Sequence, residues 1–252
     1  MIDKVDIANV LFLDIETVCA KSQYQELDDT MQELWQLKAK QILRVDMEDL
    51  NEEASAKAYK DKAAIFAEFG KIVCISVGAI HRDKEDQKLK VRLKSFASEN
   101  EAELLHAFSQ LLFQHYNDPN KFFLCGHNIK EFDVPYICRR MVVNQLPMPN
   151  MLNISGKKPW EIAYLIDTLE LWKFGDHKHF TSLKLLAAVL GFPSPKDDMD
   201  GSQVGHVYWE EKDLKRIAHY CEKDVLATIQ LFLRFKRMPL LESDQISHIG
   251  IN

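Results

Sequence analysis

Residues 10–17 read VLFLDIET, four apolar side chains running directly into two carboxylates, Asp14 and Glu16, spaced two apart. A run this short and this apolar reads as a buried strand. Strand residues two apart point to one face, so both acids share it. Burying like charges side by side is costly unless a cation neutralises them. The chain must either leave this strand end in water or fold so that a hard divalent ion, such as Mg²⁺ or Mn²⁺, can sit beside it.

The rest of the chain is punctuated enough to divide. Residues 22–68 contain neither Gly nor Pro, and space Leu27, Met31, Leu34, Trp35, Leu37, Ile42 and Leu43 at helical intervals. They predict two or three amphipathic helices inserted after the first strand. Residues 72–80 and 89–96 predict a hairpin around the polar turn HRDKEDQK. A capped helix follows Ser98, then a buried strand at 122–126 and a helix at about 131–144. A loop rich in Pro and Gly spans 145–159, followed by a strand at 162–167 and a helix at 182–190 ended by Gly191. Residues 193–206 read as a polar loop and 210–236 as the last long helix, with a loose tail beyond. A hairpin followed by alternating helix and strand predicts a mixed α/β sheet with helices on its faces. One domain over 1–240, with the insertion at about 22–68 and a flexible tail at 241–252, is the expected organisation.

Composition narrows the function classes. At 252 residues and 46% hydrophobic content the chain can bury a full core. No run of eighteen apolar residues suggests a membrane span. The five cysteines are odd in number and lack a C-x-x-C pair, and most sit in apolar stretches. A zinc site and a disulfide framework are therefore not expected, and a reducing cytoplasm is the simplest setting. The net charge of −6 argues against coating a nucleic acid, but not against gripping one strand end with a local basic patch.

Two further constellations join the first. Gly126-His127-Asn128-Ile129-Lys130-Glu131-Phe132-Asp133 lies where a buried strand hands over to a helix, a place where open α/β sheets bind ligands. Helix capping by Asn128 or Asp133 is the alternative role. Tyr220 and Asp224 are four apart on the last helix and share a face. His219 precedes Tyr220, but five residues turn it about 140° away from Asp224, against about 40° for Tyr220.

The ordered set, LDIET, then GHNIKEFDVPYICRR, then YCEKDVLAT, resembles the DEDD exonuclease superfamily. It is closest in wording to the proofreading exonuclease domain of family B DNA polymerases. The resemblance covers roughly residues 8–17 and 70–236 and leaves out the helical block. The chain is too short to hold a polymerase as well, so it reads as a stand-alone relative. The resemblance implies a ribonuclease-H-like fold, a mixed five-stranded sheet flanked by helices, and 3′-5′ exonuclease activity.

By the family's pattern, Asp14, Glu16 and Asp224 hold one divalent ion, while Asp14 and Asp133 reach a second; Mg²⁺ or Mn²⁺ is expected. Tyr220 orients the attacking hydroxide. Glu16 and the Thr17 backbone meet the terminal 3′-hydroxyl, and Asn128 and Phe132 contact the terminal nucleotides. The implied partner is nucleic acid with single-stranded or mismatched 3′ ends, DNA favoured over RNA, and no membrane. An RNA-trimming ribonuclease and a silent docking module are the rivals. The insertion's spacing fits docking to a polymerase or repair protein, a lid, self-association, or packing on its own domain.

Weaker readings attach to other residues. Asp167 caps the next element or supports the site from behind. Lys173, His177, Lys178, His179 and Lys184 form a basic stretch suited to phosphates or to solvent. Arg139 and Arg140 lie on the helix after Asp133, where surface salt bridging is the default role and facing the bound strand the alternative for one of them. Trp35, Trp160, Trp172 and Trp209 are expected to pack rather than stack on bases.

Overall fold

The computed structural model describes residues 2–46, 50–176, 180–193 and 199–251. Its elements in chain order are β1 (Val10–Cys19), α1 (Asp29–Leu43), α2 (Glu52–Lys62), β2 (Gly70–Arg82), β3 (Leu89–Ala97), α3 (Glu101–His115), β4 (Phe123–Gly126), α4 (Asp133–Val143), β5 (Leu165–Asp167), α5 (Thr168–Lys173), α6 (Leu183–Leu190), α7 (Val204–His206), α8 (Leu214–Phe235) and β6 (Ile246–Ile251). The strands form one sheet, in the order β5-β4-β1-β2-β3-β6. β1 is antiparallel to β2 and β2 to β3, while β4, β5 and β6 pair in parallel with their neighbours. The expected α/β architecture with a mixed sheet and flanking helices is therefore present.

Both faces of the sheet are covered, which explains why β1 reads as a continuous apolar run. On one face Leu11, Leu13 and Ile15 pack with residues of α3 and α4. On the other, Val10 and Phe12 pack under α8, where Phe12 meets Phe232 edge to face at 5.2 Å. α8 is capped by Asp213, whose carboxylate accepts from the Arg216 amide, satisfying one of the free first-turn donors.

Three expectations need correction. The sheet has six strands rather than five, because the segment expected to be a loose tail forms β6 beside β3. β1 does not end at its acids. It runs on to Cys19 by pairing with β2, with a register shift between Glu16 and Thr17. On its other edge, pairing with β4 covers only Val10–Phe12, so that edge has no strand partner from Leu13 onward. The last helix begins at Leu214 rather than 210. A π-helical turn, Val207–Glu211, precedes it and is closed by Lys212 in the left-handed region at φ 58°.

The insertion holds two α-helices. Trp35 and Tyr59 are fully buried between them and meet edge to face at 5.3 Å. Only part of the expected apolar stripe is inside: Leu27 and Trp35 are buried, whereas Leu34, Leu37 and Leu43 are exposed. Two residues of α4 fasten the block's end to the sheet. Tyr136 donates to the Ala64 carbonyl at 2.9 Å and Arg140 to that of Ala67 at 2.8 Å. Arg140 is thus no surface residue. Its guanidinium also grips the buried Glu101 at 2.6 Å, and Glu101 in turn accepts from the Ile72 amide at 2.7 Å.

Candidate active site

Three elements converge on the open edge of β1. Asp14 and Glu16 project from β1 toward α8, on the face that carries Val10 and Phe12. Asp133, in the first turn of α4, accepts a hydrogen bond from the Ile15 amide at 3.2 Å. That amide lies past the end of the β4 ladder, so Asp133 replaces the missing strand partner. Tyr220 and Asp224 come from α8, and the Tyr220 hydroxyl hydrogen-bonds the Asp224 carboxylate.

The loop from β4 into α4 is shaped by two local devices. Gly126 approaches β1 so closely that a Cβ would meet the Leu13 carbonyl at 3.0 Å and Ile129 at 2.8 Å. Asn128 adopts φ 69°, a left-handed conformation that Asn tolerates better than most residues. Asp167 then fixes the loop. Its Oδ1 accepts from the Asn128 amide at 3.0 Å and the Leu169 amide at 2.9 Å, and its Oδ2 from the Lys130 amide at 3.1 Å. With both oxygens so engaged, Asp167 acts as a buried loop clamp and α5 cap. His127 is held on both sides, by the Thr168 hydroxyl and the Thr181 carbonyl, each at 2.9 Å, and its burial lowers its pKa.

The carboxylates feel one another strongly. Burial raises the Asp14 pKa well above the usual range, with Asp133, Glu16 and Asp224 adding to it. Glu16 is raised well above its range by burial and then by Asp224, Cys74 and Asp133. Asp133 is pushed up to about 7, chiefly by burial. Tyr220 is raised by burial and by Asp224, Glu16 and Asp14. Bound cations would reverse this logic, since they favour the charged form of every carboxylate around them.

Asp14, Glu16, Asp133, Tyr220 and Asp224 therefore lie in one cluster, while His219 does not join it. The His219 ring lies 6.1 Å from that of His248, on the β6 side of α8. Thr17 hydrogen-bonds through its side chain to Tyr136, beside the insertion's anchor. Phe132 is half-buried and stacks at a tilt against Tyr136, 5.5 Å away, and Asn128 is half-buried on the loop below it. Trp160 contradicts its expected packing role, being 70% exposed. Of the basic stretch, Lys173 ends α5 and Lys184 is exposed on α6, while His177, Lys178 and His179 lie outside the described residues.

Cys221 is the residue that sequence reading missed. Its thiol donates toward the Asp14 carbonyl at 3.4 Å and the Asp14 Oδ2 at 3.6 Å. Its sulfur and the carboxylate oxygens of Asp14 and Glu16 lie within 4.8 Å of one another. Its place between Tyr220 and the next turn of α8 was the available signal. The donor set is mostly carboxylate oxygen, which fits a hard divalent cation.

Residues 65–246 match a family model described as a predicted 3′-5′ exonuclease related to the exonuclease domain of PolB. The matched segment contains Asn128, Phe132, Asp133, Tyr220 and Asp224 and excludes β1. No curated protein matches the chain. Among solved structures, the family B DNA polymerase from the hyperthermophilic archaeon Pyrobaculum calidifontis is similar, with a TM-score of 0.54 and 13% identity. That match covers 90% of this chain and 24% of the polymerase, so the chain spans about a quarter of the polymerase's length. At that identity the likeness is one of fold. Among the described residues no helix is long and apolar enough to cross a membrane.

Proposed function

The chain belongs to the family of predicted 3′-5′ exonucleases related to the exonuclease domain of PolB, and on that premise we propose that it removes nucleotides from single-stranded or mismatched 3′ ends of DNA with two divalent metal ions. The observation that carries this reading is the meeting of four carboxylates and Tyr220, from β1, α4 and α8, at the open edge of β1. Asp14, Glu16, Asp133 and Asp224 would hold two Mg²⁺ or Mn²⁺ ions. When bound, such ions supply a hydroxide nucleophile near neutral pH and stabilise the departing oxygen.

The chain's own groups do the rest. Tyr220 keeps its proton, which it donates to Asp224, so its phenol oxygen is left to accept from the attacking water and orient it. Glu16 and the Thr17 backbone face the terminal 3′-hydroxyl. Asn128 and Phe132 hold the last nucleotides, the Phe ring by stacking. The Asp167 clamp keeps this loop in register with β1. Proofreading or repair of DNA ends fits this chemistry, and five cysteines without a disulfide fit a reducing cytoplasm. The insertion and the sheet together form one exonuclease domain in this reading.

The test uses 5′-labelled single-stranded, mismatched and matched DNA and an RNA of the same sequence, with Mg²⁺ or Mn²⁺. A ladder shortening from the 3′ end is expected, absent in EDTA and in Asp14→Ala. Tyr220→Phe should lower kcat by roughly 10²-fold, while His219→Ala should not reach that loss. Faster cleavage of the RNA would overturn the DNA assignment. Normal turnover by Asp14→Ala would sink the mechanism.

A further inference from the structure

We propose that Glu222 and His248 form a positioning clamp that holds the helix bearing Tyr220 and Asp224 in register over the strand bearing Asp14. The inference rests on the exonuclease reading for its effect on rate. The family match ends at residue 246, so His248 lies outside it.

The clamp begins with a row of residues across the sheet. Asp14 of β1 stands opposite Ser76 of β2, and Ser76 stands opposite Ser95 of β3. α8 packs closely on β2 two residues along from this row, at Gly78, where a Cβ would meet Ile229 at 2.8 Å and Val225 at 3.0 Å. Two successive residues of α8 then fasten the two ends of the row. Cys221 donates to Asp14. Glu222 accepts from the Ser95 hydroxyl at 2.9 Å. The second oxygen of Glu222 accepts from His248 Nδ1 of β6 at 2.6 Å.

The hydrogen-bond directions agree with one another. A serine hydroxyl has a single proton. Ser95 gives its proton to Glu222, so in the 2.7 Å contact between the serines it is Ser76 that donates. Ser76 is left to accept from the Cys74 thiol at 3.6 Å. The Ser76, Ser95 and His248 donors all point toward Glu222, which accepts on both oxygens.

Glu222 is only 5% exposed, in a helix–sheet interface packed by Leu93, Val225 and Ile229 in which the Ser76 and Ser95 hydroxyls are also buried. A buried carboxylate is a poor way to gain stability, and a hydrophobic residue of similar size would pack there without desolvation cost. What a paired buried carboxylate supplies is register. One turn of α8 carries Tyr220, Cys221, Glu222 and Asp224, so a slip at Glu222 shifts the whole α8 side of the active site. Displacement of about 1 Å in such a site costs on the order of 10²-fold in rate. Among the described residues lining the hollow beside His248, His219 and Lys223 are the other charged or titratable groups.

The test uses the full chain with His248→Leu, His248→Asn and Ser95→Ala, assayed on single-stranded DNA with Mn²⁺. His248→Leu should lower kcat by roughly ten- to a hundredfold, with KM nearly unchanged. Asn can present a donor near the position of Nδ1 and should restore most of the rate. Amide hydrogen exchange at residues 218–224 should quicken in the Leu variant and return toward wild type in the Asn variant. Should His248→Leu fail to fold, Ser95→Ala removes the other donor to Glu222 and should give the same kcat loss. Unchanged kcat, or loss of exchange protection throughout the chain without rescue by Asn, overturns the clamp. Absence of nuclease activity in the wild type would instead remove the exonuclease reading. In that case exchange at 218–224 still decides, and no change there overturns the clamp.

Discussion

Asp14, Glu16 and Asp133 all hold their protons more tightly than free carboxylates do, and burial is the first cause in each. The sign of the shift sets their effect on stability. Below about pH 4, the unfolded value, both states are protonated and nothing is lost. Between that value and about 7, where Asp133 titrates, the unfolded chain releases protons that the folded chain still holds, so stability falls. In EDTA, the Tm of the wild type should therefore fall from pH 5 to pH 8 more steeply than that of Asp14→Asn. At pH 8 the variant should be the more stable, by about 1–3 kcal/mol. Mn²⁺ should reverse the order, raising the wild-type Tm well above the variant's. Parallel Tm curves that ignore the metal would show that these carboxylates do not act together.

Asp167 joins β4, β5 and the β4–α4 loop, and it is the element-scale support of the site. Four backbone amides depend on its carboxylate: Asn128, Lys130, Leu169 and Glu170. Asp167→Ala would leave these buried or half-buried donors without partners. A loss of about 2–4 kcal/mol is expected by denaturant unfolding, together with a fall in exonuclease rate. Asp167→Asn, which keeps one acceptor oxygen, should lose less. Equal stability in all three proteins would mean that water replaces the carboxylate. The main elements and the acids of the cluster were legible because each sits in a local motif: an apolar run into paired acids in β1, a strand–helix junction, a four-residue step on α8. What was not legible depends on pairing. The contact of Cys221 with Asp14 spans 207 positions, and that of Glu222 with Ser95 spans 127. β6 was missed because a short segment after Pro239 has no helix to announce it; Ile246, Ile249 and Ile251 were the available hint. Arg140 was misjudged for the same reason, since its partner Glu101 lies 39 positions away.

At the scale of the molecule, the insertion is bound to the sheet through its own aromatic cluster and through α4. Trp35 packs against Phe69, just before β2, at 5.0 Å, and its indole donates to the Ser55 carbonyl at 2.9 Å. Trp35→Ala should destabilise the protein by about 3–5 kcal/mol. Because the cluster includes Cys19 at the end of β1, melting should remain a single transition. A separate early transition would show that the insertion folds as its own unit.

The placement of β6 has a consequence for how the protein behaves in a crowded solution. Without it, the nine residues of β3 would form the rim of the sheet, a row of unpaired amides and carbonyls ready to recruit another chain. At the opposite rim β5 is three residues long, too short to be a good template. β6 closes the long rim and offers a poorer one in its place. Its pairing with β3 is irregular between Leu93 and Ser95, and Gly250 turns its backbone to φ 107°. Both departures disturb the flat, regular ladder that intermolecular strand addition requires. The last few residues of the described chain thus help to keep one copy of the protein from becoming the seed of a fibril.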